Sequence, residues 1–150
     1  MAYAFKLERV LVIRRKERDF CATELARAKA RVTEIRNYLA KLEEDRVNTE
    51  YRLESVKKEN RLDQRELYLH SLHCAGLESD VAGAEEELIK ANQLAAAAME
   101  ALNQAHKALE ILERLKEKDF EAWQKEQLRK ETVAMDELAV SGFRNKEPLK

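Results

Sequence analysis

The densest group of chemically capable side chains is "HSLHC" at residues 70–74, where His70 and Cys74 are four apart and would share a helical face, with His73 beside them. Imidazole nitrogens and thiolates are zinc donors, but a structural zinc takes four ligands, and the paired C-x-x-C spacing that makes such a signal strong is missing. The expectation is therefore no metal, with these residues at the surface or facing a partner. Cys21 lies far from Cys74 in sequence, so the two read as free thiols and not as a disulfide framework. Three scattered glycines (Gly76, Gly83, Gly142) cannot build G-x-x-x-x-G-K-[ST], which removes ATP hydrolysis by that route. With no convergent polar constellation in view, neither an enzyme nor a cofactor is expected.

Two other groups suggest binding. "RRKER" at 14–18 is either a solvated helix face or a patch for an acidic partner surface or anionic lipid. Residues 1–31 carry nine basic and four acidic groups, which raises the second reading. Phe120 and Trp123, three apart, read first as packing against the N-terminal helix; an exposed tryptophan at a rod end would instead be a binding anchor. Nucleic acid is not an expected partner. The formal net charge is -1, the arginines share their helix with inward-facing apolar groups, and no dimerising zipper cleanly follows a free basic region.

The elements that must position these groups are long helices. Charged residues make up 38% of the 150 and aromatics 6%, while the one proline (Pro148) and three glycines supply few turns. Counted from Leu25, a 3,4 alternation runs through Ala28, Val32, Ile35, Leu39, Leu42, Leu53 and Val56, with Arg46, Thr49 and Asn60 as polar members that weaken it or set register. Leu7, Leu11 and Cys21 extend it upstream, where Val10, Ile13 and Phe20 form a competing stripe. A second alternation runs from Val81 to Leu112, and half of its positions are alanine. Such small residues gain little per contact and need a closely approaching partner with larger side chains, which Val32, Ile35, Leu39 and Leu42 can supply.

The fold class expected is all-α, a long antiparallel two-helix coiled-coil hairpin forming a rod. Arm one covers about 3–60, the tip about 60–80, arm two about 80–140, and 141–150 is a frayed tail. Asn60 can close the first helix, Asp63 and Glu66 have capping-box spacing for a new one, and Gly76 or Gly83 marks a second break or only a weak point. Residues 1–75 carry 17 basic and 13 acidic groups and residues 76–150 carry 11 and 16, so the arms attract modestly. Pairs such as Glu86 to Lys90, Glu110 to Arg114 and Glu126 to Lys130 support the exposed faces. "VLVI" at 10–13 is too short for a signal-peptide core, and no run approaches the ~20 apolar residues of a membrane span, so a cytosolic protein is expected.

The start "FKLERVLVIRRKERDFCATELARAKARV" (5–32) and the end "LERLKEKDFEAWQKEQLRKETVAMDELAV" (112–140) resemble the FliJ family, the soluble coiled-coil component of the bacterial flagellar type III export apparatus. The F-x-L-E-x-V-L opening (Phe5, Leu7, Glu8, Val10, Leu11) and the D-E-L-A closing (Asp136 to Ala139) carry the likeness. The injectisome YscO-like family has the same layout. The resemblance implies a stalk in the hexameric ring of a FliI-like export ATPase, contacts with an FlhA-like export gate, and escort of substrate chaperones. It also implies a monomer in the cytoplasm, peripheral at the inner membrane through its partners. Carried over, Arg9, Arg14, Arg15, Arg18, Trp123, Met135 and Asp136 face the ATPase, and Tyr51, Tyr68, Leu72 and Leu77 are candidates for the gate or chaperone contact. The competing reading is a structural homodimeric coiled-coil scaffold, in which the alanines would face another chain.

Overall fold

The computed structural model describes residues 2–59 and 63–146. They form two helices, α1 (Glu8–Lys58) and α2 (Gln64–Lys146), with no strand among the described residues. The helices pack antiparallel as the all-α hairpin that the periodicity predicts. By contacts the chain divides into two units, Met1–Arg18 with Ala105–Lys150, and Asp19–Gln104.

In the Asp19–Gln104 unit every seam position counted from Leu25 to Val56 is buried or half-buried, and so is every counted position from Val81 to Leu102. Leu42 packs with Leu77, Val81 and Ala84; Val32 and Ile35 pack with Ala91, flanked by Leu39, Leu88 and Ala95. Large residues on α1 thus fill the space beside small ones on α2, and the alanines face the same chain. The polar seam positions are handled locally. Buried Thr49 donates its hydroxyl hydrogen to the Asp45 carbonyl at 2.7 Å, inside its own helix. Arg46 lies 3.4 Å from Glu43, but its Nε is buried with no partner, an unpaired donor of the kind that weakens a seam locally. Asn60, the last position of the count, lies outside the described residues.

The tip is shorter than the sequence suggests. α2 starts at Gln64, not near residue 80, because Asp63 caps it: Oδ1 accepts the Arg65 amide at 3.2 Å and the Asp63 carbonyl accepts the Leu67 amide at 3.1 Å. Gly76 and Gly83 lie inside α2 and break nothing; a Cβ at either would meet no atom within 4 Å, so they cost propensity only. At the other end residues 141–146, expected to fray, continue α2, and the remainder of that tail lies outside the described residues.

Of the expected helix pairs, Glu86 with Lys90 and Glu110 with Arg114 form, whereas Glu126 bonds Arg129 one residue earlier than Lys130. Arg31 reaches across to Glu87 at 3.6 Å, both side chains more than half exposed, so the pair adds little stability.

Candidate functional site

The Met1–Arg18 and Ala105–Lys150 unit holds most of the candidate residues. Its core contains Leu11 and Leu109, almost fully buried. Ahead of α1, residues 2–7 form a short non-helical strap that turns into the helix through the Phe5 carbonyl, which accepts the Glu8 amide at 3.2 Å. Tyr3 carries this strap onto α2. Its ring meets Phe120 edge-on at 5.0 Å and 71° and lies 5.7 Å from Trp123, and those two rings stack at 5.9 Å and 17°. Edge-to-face and offset contacts of this kind are the favoured aromatic geometries. The Tyr3 oxygen is 3.0 Å from Asp119 Oδ2 and 3.3 Å from the Lys116 carbonyl, one proton facing two acceptors, of which the carboxylate is closer. Lost solvent, then the hydrogen bond and charge of Asp119, then the charge of Glu8 hold this phenol above its ordinary value. Lys116 Nζ also donates to Glu8 Oε2 at 2.8 Å, a second tie between the start of α1 and α2.

The basic run is largely tied within the chain. Arg14 bonds Glu17 at 2.9 Å, Arg15 lies 3.9 Å from Glu113, and Arg18 is half-buried. Arg9 and Lys16 are exposed and, among the described residues, make no ion pair. Val12 and Ile13 stand exposed between them.

Past Gln127 the character of α2 changes. Every residue from Leu128 to Asn145 is exposed, including Leu128, Val133, Leu138, Val140 and Phe143. Met135 (71% exposed) and Asp136 belong to this bare segment. Glu126, at its base, has a carboxyl held below its ordinary value, chiefly by the hydrogen bond from Arg129.

In the other unit Tyr51, Tyr68 and Leu72 are exposed, as a contact surface requires. Leu77 is not: 6% exposed, it packs against Leu42, Val81 and Ala84 and offers nothing to an outside partner. His70 and Cys74 are half-buried seam residues, His73 is exposed, and among the described residues no group of three or more donors is arranged to hold a metal. Both cysteines are free and half-buried.

The family model for the flagellar FliJ protein matches residues 3–148, nearly the whole length. The chain belongs to the FliJ family. No curated protein and no solved structure matches it. FliJ membership makes it a component of the flagellar type III export apparatus. Among the described residues of this FliJ-family chain no helix is long and apolar enough to cross a membrane. Sequence reasoning found Phe120 and Trp123 but missed Tyr3, their partner. The register would have found it: the pairing that sets Val32 beside Ala91 sets Tyr3 beside Phe120 when carried to the start of the chain.

Proposed function

We propose that this FliJ-family chain is the stalk of a hexameric FliI-like export ATPase ring, entering it with the unit that contains both chain ends and coupling the ring to an FlhA-like export gate. One observation carries the reading. The Leu128–Asn145 stretch of α2 is exposed throughout and presents Leu128, Met135, Leu138, Val140 and Phe143 to solvent, in the same unit as the Met1–Arg18 stretch with its run of arginines. Uncovered large apolar groups on that scale mark a docking surface. Cationic Arg9, Arg14, Arg15 and Arg18, with Asp136, would set its orientation in the ring, and Trp123 and Met135 would add apolar contact. The second contact, with the gate and with substrate chaperones, uses Tyr51, Tyr68 and Leu72. The protein would act in the cytoplasm, held at the inner membrane by its partners. The homodimeric scaffold has less support, because the small side of the seam is filled by Val32, Ile35 and Leu42 of the same chain.

Sedimentation equilibrium with and without a FliI-like ATPase tests this. A 17.4 kDa species that joins a larger ring, and loses that ability when truncated after Gln127, is the expected result. A stable dimer indifferent to the ATPase refutes it. Charge reversal of Arg14 and Arg15 should abolish ATPase stimulation without unfolding, since their present partners are surface pairs of small net worth.

A further inference from the structure

The Phe120–Trp123 stack belongs to α2 alone, whereas the third ring, Tyr3, arrives on a strap with no regular structure. Residues without regular structure stay in place only where something ties them down, and among the described residues the side-chain hydrogen bonds and ring contacts from 2–7 to α2 come from Tyr3, with half-buried Phe5 on the same strap. The next tie, Glu8 to Lys116, is already in α1. The strap can therefore leave while the helix pairing below it stays. When it leaves, α2 loses nothing structural, since Phe120 and Trp123 remain stacked three residues apart. What changes is access: Phe120 is 37% exposed with the strap down, and removing the tyrosine opens one flank of both rings. A bared Trp–Phe pair is the kind of anchor that dominates protein interfaces.

We infer that residues 2–7 are a removable cover, held by Tyr3, over a Phe120–Trp123 anchor that the strap closes in the free protein and a partner uses once it opens. The inference rests on the stalk reading for the partner, the ATPase ring, but the cover itself can be read without any partner. For a strap open about a tenth of the time, apparent affinity falls about tenfold below that of the bare anchor, so removing Tyr3 strengthens binding. A merely structural tyrosine would do the reverse.

Trp123 is the single tryptophan of the chain, so its fluorescence reports this site without labelling. Tyr3→Ala, Tyr3→Phe and a variant lacking residues 2–5 would be compared with the parent, helicity serving as the folding control. Expected are a red-shifted emission and stronger acrylamide quenching for Tyr3→Ala and the deletion, with Tyr3→Phe between them and the parent. Strap amides should exchange with deuterium far faster than those of residues 116–123. Against the ATPase ring, Tyr3→Ala should bind about tenfold tighter than the parent, and Trp123→Ala should lose that gain. Unchanged emission in Tyr3→Ala, or strap amides as protected as those of α2, overturns the cover. Tyr3→Ala binding no tighter than the parent overturns the gating. Spectral changes as expected with no ring binding by any variant, the parent included, would uphold the cover and remove the ATPase as its partner.

Discussion

Replacing Ala91 by leucine separates a closely approached seam from a loosely filled one by the sign of its effect. Ala91 is 5% exposed and packs against Val32 and Ile35, with Leu39, Leu88 and Ala95 around it. Simple heptad logic favours leucine at a core position, and three further carbons at ~0.8 kcal/mol each would add about 2.4 kcal/mol if the seam had room. The space is already taken by the branched side chains of α1, so the added carbons must push the helices apart or force poor rotamers, at a cost of about 1–3 kcal/mol. The two outcomes lie about 3–5 kcal/mol apart, from the same additions. Urea unfolding followed by helical ellipticity should give a lower midpoint at unchanged slope. Ile35→Ala alone should cost about 2–5 kcal/mol, and combined with Ala91→Leu it should cost less than the two separately, because contacting residues couple. A rise in midpoint for Ala91→Leu would refute the packing argument and reopen the possibility that another chain fills this side.

Leu109→Ala should cost about 2–5 kcal/mol, since the side chain is only 2% exposed, and half-buried Leu39 should cost less. Exposed Lys107→Ala should stay within ~0.5 kcal/mol; equal shifts for all three would refute the register. Gly76→Ala and Gly83→Ala should each raise stability by up to about 1 kcal/mol, because a methyl group at either meets no atom within 4 Å and alanine is the better helix former; loss of stability would mean that those positions are not helical. The Glu126 carboxyl, followed by NMR, should titrate below its ordinary value of 4.5. Its folded value is depressed, so the contribution of the Arg129 contact is present above the unfolded value and lost as pH falls through the folded one. A midpoint at or above 4.5 would show that the contact does not persist in solution.

The sequence revealed the seam because burial between two helices repeats every three or four residues and each position reports on itself. The count from Leu25 to Val56 and from Val81 to Leu112 therefore matches the buried positions directly. The tip stays a broad range in the sequence, about 60–80, because a glycine can mark either a break or only a weak point. Gly76 and Gly83 sit beside Leu77 and Val81, whose burial against Leu42 holds the helix through them, and a propensity cost of about 1 kcal/mol per glycine is less than one such contact contributes. Leu77 enters the contact candidates only through the family resemblance and its place near the expected hairpin, a stretch to which the counted alternations assign no seam.

The far end of α2 failed differently. The apolar alternation stops at Leu112, and the later half-buried positions are Lys116, Trp123 and Gln127. A pattern of apolar residues cannot tell whether a helix beyond that point is paired by other means or bare. Here both occur in succession. Lys116 is held by Glu8 and Trp123 by Tyr3, through an ion pair and a ring contact that depend on single residues and leave no periodic trace. After Gln127 the pairing ends, and from Leu128 to Asn145 every residue is exposed, the apolar ones included. Of those groups only Met135 enters the candidate site, and only through the family resemblance, because, read as sequence, Leu128, Met135 and Leu138 continue the apolar content of a helix that ought to have a partner. α1 starts at Glu8, and among the described residues the strap ahead of it engages α2 at Phe120 and Trp123, so the exposure of the groups beyond them is legible in the structure and not in the apolar pattern.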